Sequence, residues 1–134
     1  MDVGLAIAGV ICLGMAIGHT VIGRIWVLPS LTEERVPRTP FGPASMTVSM
    51  LRVTWYVVTI FVTALGGLLL TLAWAPSAEP KMVALRWFAG MWLAATAMAS
   101  WIALGRTRSV RGFLRLPVPF LWVVVAILCW MAST

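Results

Sequence analysis

The chain alternates between long apolar stretches and short polar connections rich in proline and arginine. A segment of about 20 apolar residues is long enough to cross a hydrocarbon core of about 30 Å. Four stretches meet this length: Val3 to Pro29, Val48 to Trp74, Met82 to Leu104 and Phe113 to Ala132. The pattern predicts an all-α integral membrane protein, a four-helix bundle of four transmembrane spans that forms a single domain over residues 1–134.

Composition supports the membrane interpretation. Of the 134 residues, 61% are hydrophobic and 10% are charged, which lies outside the usual balance of a soluble domain. The connections are too short to form a soluble domain of their own. The first stretch has no basic residue before it and is longer than a signal-peptide core, so we expect it to be retained. Both cysteines, Cys12 and Cys129, fall inside predicted spans, where a disulfide framework is not expected.

Basic residues concentrate at two of the three connections. Those at the first are Arg24, Arg35, Arg38 and Arg52, and those at the third are Arg106, Arg108, Arg111 and Arg115. By the positive-inside rule this asymmetry places both connections in the cytoplasm and both termini outside, in the periplasm, for a multi-pass protein of the bacterial inner membrane. The net charge of +6 is then explained by topology and by anionic headgroups of membrane lipids. Nucleic acid is not an expected partner.

Small residues recur along the first span. One row is Gly4, Ala8, Cys12, Ala16 and Thr20, and a separate pair is Gly14 and Gly18. Small residues at this spacing let helix backbones approach closely in lipid. The rows indicate packing within the chain, with a dedicated dimer face as the alternative.

A polar stripe runs along the second span at helical spacing. Its members are Ser45, Ser49, Arg52, Tyr56, Thr59, Thr63 and Gly66. A polar stripe that faces lipid is costly, so one interpretation is a binding crevice or permeation path. The other is that the serine and threonine hydroxyls bond back to their own helix.

The only histidine, His19, lies inside the first span. At about 1.5 Å per residue, it shares a depth with Tyr56, Thr59 and Thr96. If the first two spans are antiparallel neighbours, His19 reaches Tyr56 or Thr59, and such a contact satisfies a buried imidazole. A ligand-binding role is the alternative. Trp92, near the middle of the third span, requires a packing partner or a cavity.

Arg24 and Arg52 also share a depth, just inside the cytoplasmic boundary. No acidic residue lies at that level, although Glu33 and Glu34 in the connection can fold back as partners. Otherwise both arginines snorkel to the interface or together hold an anion such as a lipid phosphate. Trp55 lies at the same side and fits the cytoplasmic aromatic belt.

Several kinds of chemistry are missing from the sequence. No carboxylate lies within the predicted hydrocarbon region, which disfavours a proton-coupled antiporter. Cys12, Met15 and His19 share a face of the first span and are possible metal ligands, but this spacing is more typical of packing. No phosphate loop, zinc spacing or nucleophile triad is present. The sequence makes no positive case for an enzyme, and it leaves the identity of any cofactor open.

These features favour a non-enzymatic membrane protein that binds a small or lipidic ligand, or passes a solute, through a cytoplasm-facing crevice. The predicted lining is His19, Arg24, Arg52, Tyr56, Thr59 and Thr63. Four spans enclose a narrow interior, so a homo-oligomer is expected for transport. Two alternatives stay open: an accessory subunit of a larger membrane complex, and a redox protein holding haem, quinone or metal at His19.

Three short motifs carry a resemblance. They are Gly18-His19-Thr20-x-x-Gly23, Leu28-Pro29-x-Leu31 and Leu51-Arg52-Val53-Thr54-Trp55-Tyr56. Over the first half, the chain resembles a group of small, uncharacterised bacterial four-span inner-membrane proteins. In that group the first span often ends in Gly-Glu and the second carries a Trp-His pair. Here Arg24 replaces the glutamate and Tyr56 replaces the histidine, which argues against a cofactor held by two histidines.

Overall fold

The computed structural model describes residues 1–36, 42–76, 78–107 and 117–134. The long elements within these ranges are four helices: α1 (Val3–Ile22), α2 (Ala44–Trp74), α3 (Glu79–Thr107) and α4 (Pro117–Met131). A π-helical turn (Gly23–Val27) and a 3₁₀ turn (Leu28–Ser30) extend α1. The predicted all-α class is confirmed for the described part of the chain.

The helix bounds differ from the predicted spans at their ends. α2 begins four residues before the predicted Val48, because residues 44–47 continue the helix that starts after Pro43. α3 likewise extends beyond the predicted 82–104 at both ends. The start of the fourth predicted span, at residues 113–116, lies outside the described residues, as do Arg38, Arg108, Arg111 and Arg115.

Two helical segments of the described chain are long and apolar enough to cross a membrane. They are Val3–Ser30, with 28 residues, and Ala44–Trp74, with 31 residues, and each reaches a mean hydropathy of 2.2. The apolar part of α4, Phe120–Met131, is shorter. The structure therefore establishes a helical protein with two candidate membrane-spanning helices, and the four-span arrangement stays a prediction.

The chain divides into two compact units. The histidine unit is Cys12–Gly67, and the α3–α4 unit combines Met1–Ile11 with Leu68–Thr134.

In the α3–α4 unit, α3 and α4 pack on each other. The buried positions of α3 are Leu85, Ala89 and Trp92, and those of α4 are Val125, Ala126 and Cys129. This spacing places each set on one helix face. The indole of Trp92 lies 5.8 Å from that of Trp122 between ring centroids, which supplies the packing partner that the sequence required. The Nε1 atom of Trp92 is buried and has no hydrogen-bond partner in the part of the chain that the structure describes.

The start of α1 is capped by the residue before it. Asp2 Oδ1 accepts a hydrogen bond from the Leu5 backbone N–H at 3.1 Å, which satisfies one of the free donors of the first helical turn. The Asp2 backbone N–H donates to Ala73 O at 2.8 Å. Both contacts fix the first residues of the chain within the α3–α4 unit.

In the histidine unit, the end of α1 and the first half of α2 run antiparallel. The contacts are His19 with Thr59, Gly23 with Trp55 and Leu31 with Arg52. Residue numbers thus increase along the first segment while those of its partners on α2 decrease. The helical segment Val3–Ser30 ends next to Pro29, because proline lacks the backbone N–H that would continue the helix.

The two small-residue rows of α1 differ in their surroundings. Ala8, Cys12 and Ala16 are buried, as the expected packing within the chain requires. A Cβ atom at Gly14 or Gly18 meets no atom within 4 Å in the described structure. The middle of the first row therefore packs inside the protein, and the glycine pair faces open space.

Candidate functional site

His19 is held between two residues of α2. Its imidazole stacks on the indole of Trp55, with ring centroids 3.9 Å apart and planes 9° from parallel. Its Nδ1 atom lies 2.9 Å from Thr59 Oγ1. The predicted contact with Thr59 is confirmed, and Thr59 rather than Tyr56 is the partner. We call these three residues the histidine clamp.

Trp55 is itself fixed by α1. The indole Nε1–H donates to the His19 carbonyl oxygen at 3.2 Å. The ring also lies directly over Gly23, where a Cβ atom would overlap it. Gly23 follows His19 by four residues, which puts both on the same helix face. A glycine is therefore needed at position 23 for the indole to reach the histidine.

The hydrogen bonds of the clamp assign the tautomer of His19. The Thr59 hydroxyl donates to Trp55 O at 3.1 Å, and a hydroxyl has only one hydrogen to give. The imidazole Nδ1–H is therefore the donor to Thr59 Oγ1. Nε2 then carries the lone pair, and it has no hydrogen-bond partner among the described residues.

The hydroxyls of the α2 stripe bond largely to their own helix. Ser49 donates to Ser45 O at 3.0 Å and Thr63 donates to Thr59 O at 2.8 Å. Thr59 does the same. These bonds agree with the interpretation that the serine and threonine hydroxyls bond back to their own helix. Tyr56 is exposed and makes no hydrogen bond with the described part of the chain.

Arg24 and Arg52 have different surroundings. Arg52 donates from Nη2 to Leu31 O at 3.2 Å. Arg24 is exposed on the π-helical turn and makes no hydrogen bond or ion pair within the described residues. Glu33 and Glu34 are also exposed, and neither pairs with these arginines in the described structure.

An open cavity of about 320 Å³ lies between α1 and α2 inside the histidine unit. We call it the α1–α2 groove; its lining residues are Leu13, Ala16, Ile17, Thr20, Val21, Thr59 and Thr63. The Thr20 hydroxyl donates to Ala16 O at 2.8 Å. All three lining threonines thus give their hydrogen to a backbone carbonyl, which leaves a predominantly apolar wall.

The structure brings together part of the predicted site. Thr59 and Thr63 line the groove, whereas His19, Arg24, Arg52 and Tyr56 are not among its lining residues. Thr59 belongs to both the groove and the histidine clamp. The α1–α2 groove is apolar because the threonine hydroxyls are bonded within their own helices.

Sequence reasoning assigned no site role to Trp55 or Gly23. Trp55 was predicted to lie in an interfacial belt, and the structure shows that its indole contacts His19 and Gly23. The sequence feature that could have indicated this contact is the spacing of four residues between His19 and Gly23, which places both on one helix face. No group of three or more histidine, cysteine, aspartate or glutamate side chains able to hold a metal ion occurs in the described ranges.

Comparison with protein-family models, with curated proteins and with solved structures finds no match to this chain.

Proposed function

We propose that this chain is a four-span membrane protein that binds a lipidic ligand in the α1–α2 groove. The observation that carries the proposal is the groove itself, an open apolar cavity between the two helices that are long and apolar enough to cross a membrane. Its volume of about 320 Å³ falls in the range of about 300–1,000 Å³ found for small-molecule sites. Binding is the proposed activity, because none of the described residues that line the groove has a titratable side chain.

The outer surface of both helices supports a lipid environment. Ile17 on α1 is 66% exposed and Ile60 on α2 is 68% exposed. Apolar surface of this extent is costly in water and favourable in a bilayer. A groove on such a surface opens to lipid, so a hydrocarbon chain enters it without leaving an apolar medium.

The charge distribution supports the orientation within the proposal. The first connection, with Arg24, Arg35 and Arg52 at its described edges, lies on the cytoplasmic side, and both termini lie outside. The α1–α2 groove then extends from the middle of the bilayer toward the cytoplasmic headgroups.

Two isoleucines of nearly equal exposure provide a matched test. Ile17 lines the groove and Ile60 does not, so Ile17→Trp fills the groove while Ile60→Trp adds the same bulk elsewhere. We expect native mass spectra from mild detergent to show bound lipid on the parent protein and on Ile60→Trp, and loss of that lipid from Ile17→Trp. Val21→Phe, a second groove-filling change, gives the same result if Ile17→Trp does not fold.

Equal lipid retention by the groove-filling and control variants would overturn the proposal. So would a lipid-free dimer that only the groove-filling variants disrupt, because the groove would then be occupied by a helix of a second copy.

A further inference from the structure

Arg24 lies on the continuation of the α1 face that lines the groove. Leu13, Ile17 and Val21 line the groove at intervals of four residues, and Arg24 follows Val21 by three. Residues three and four apart are neighbours on a helix surface. Arg24 therefore stands at the end of the row that forms one wall of the groove.

The facing wall on α2 leads to Arg52 at the same end. Thr63 and Thr59 line the groove, and Tyr56 and Arg52 continue that face in steps of three and four. Because α1 and α2 run antiparallel here, decreasing numbers on α2 and increasing numbers on α1 lead in the same direction. Both walls of the apolar groove thus continue toward an arginine at the same end of the helix pair.

Neither arginine is neutralised by an acidic side chain of the described residues. Arg24 has no hydrogen-bond partner there. Arg52 gives one donor to Leu31 O, and a guanidinium has five N–H donors, so the remaining donors are free for an external acceptor. The bond to Leu31 O also ties the arginine to the turn after α1, which limits its motion.

We propose that Arg24 and Arg52 bind the phosphate of an anionic phospholipid whose acyl chain lies in the α1–α2 groove. This inference rests on the proposed function and adds the class of its ligand. Guanidinium groups form strong charge-assisted hydrogen bonds with phosphate oxygens. An apolar groove with an arginine beyond each wall at the same end matches a molecule with a hydrocarbon chain and an anionic headgroup.

The test compares lipids with identical acyl chains and different headgroups. Phosphatidylglycerol, phosphatidylcholine and diacylglycerol are titrated onto the full-length protein, and binding is measured by native mass spectrometry. We expect phosphatidylglycerol to bind most tightly and diacylglycerol most weakly. Arg24→Gln and Arg52→Gln each weaken phosphatidylglycerol binding about fivefold, and the double variant does so roughly twenty-fivefold. Diacylglycerol binding is unchanged in all three.

Arg35→Gln is the matched control, because Arg35 is also exposed and lies in the turn beyond the groove face. It is expected to bind phosphatidylglycerol as the parent protein does. A loss in Arg35→Gln equal to that in Arg24→Gln would overturn the inference, since the effect would then come from general charge.

The two proposals fail in different ways. If diacylglycerol binds as tightly as phosphatidylglycerol while Ile17→Trp still abolishes binding, the groove stands and the phosphate contact is wrong. If Ile17→Trp leaves the binding of every lipid unchanged, the proposal that the groove is the lipid-binding site is wrong.

Discussion

The imidazole of His19 lies parallel to the indole of Trp55, with 3.9 Å between ring centroids and 9° between planes. The indole nitrogen of the same tryptophan donates to the carbonyl oxygen of His19. One residue of α2 thus contacts both the side chain and the backbone of one residue of α1. The orientation of the histidine depends on this double contact.

The fit of Trp55 against α1 predicts the effect of adding one methyl group. Gly23→Ala places a Cβ atom within the space of the indole, so the ring must move and its contacts with His19 weaken. We expect the free energy of unfolding to fall by about 1–3 kcal/mol, measured by thermal or denaturant unfolding in detergent.

Gly14→Ala is the control for this change. It lies in α1 as well, and a Cβ atom there meets nothing within 4 Å. We expect it to be neutral or to stabilise the helix by up to about 1 kcal/mol, because alanine is the better helix former. Equal losses for both glycines would contradict the role assigned to Gly23.

The hydrogen bond between His19 and Thr59 predicts a change of tautomer. Thr59→Val keeps the side-chain shape but removes the oxygen that accepts from Nδ1–H. We expect the free energy of unfolding to fall by about 0.5–1.5 kcal/mol, the net contribution of one hydrogen bond between partly buried groups. The chain contains a single histidine, so ¹⁵N NMR of its side chain reports the tautomer without overlap. The parent protein is expected in the Nδ1–H form, and the variant is expected to shift toward Nε2–H.

Thr63→Val provides the comparison. The Thr63 hydroxyl bonds only to its own helix, and surface changes of this kind stay within about 0.5 kcal/mol. Unchanged imidazole shifts in Thr59→Val would show that the assigned donor and acceptor roles are wrong.

The proposed topology predicts which surface positions face outward. Glu79 at the start of α3 and Glu34 in the first connection are both exposed, and the charge distribution places them on opposite sides of the membrane. We expect a membrane-impermeant maleimide to label Glu79→Cys in intact cells and to label Glu34→Cys only after permeabilisation. The parent protein, whose Cys12 and Cys129 are buried, is expected to stay unlabelled. The reverse labelling pattern would contradict the orientation.

Depth along a helix was the feature of this site that the sequence predicted well. The rise per residue is nearly constant, so counting from the span centres placed His19 and Thr59 at one level, and the structure joins them. The role of Trp55 was not predictable in this way. A tryptophan near the end of a span has the same sequence signature whether it faces headgroups or a neighbouring helix.

The apolar character of the groove could not be predicted from the sequence either. Threonine spacing shows which face the hydroxyls occupy, but the χ1 rotamer decides whether each one points into a cavity or back to its own helix. In Thr20, Thr59 and Thr63 the backbone carbonyl is the acceptor. Thr59 and Thr63, two members of the stripe that is polar by sequence, therefore line an apolar groove.

The π-helical turn after Gly23 shows where this helix tolerates a change in length. The Leu28 N–H donates to Gly23 O across five residues, one more than an α-helical turn spans. Loss of one residue between them converts the turn to ordinary α-helix and keeps His19 and Gly23 in register. The same loss between His19 and Gly23 rotates one against the other by about 100° and separates the imidazole from the indole. Related chains that keep the histidine clamp are therefore expected to vary in length after position 23 and not before it.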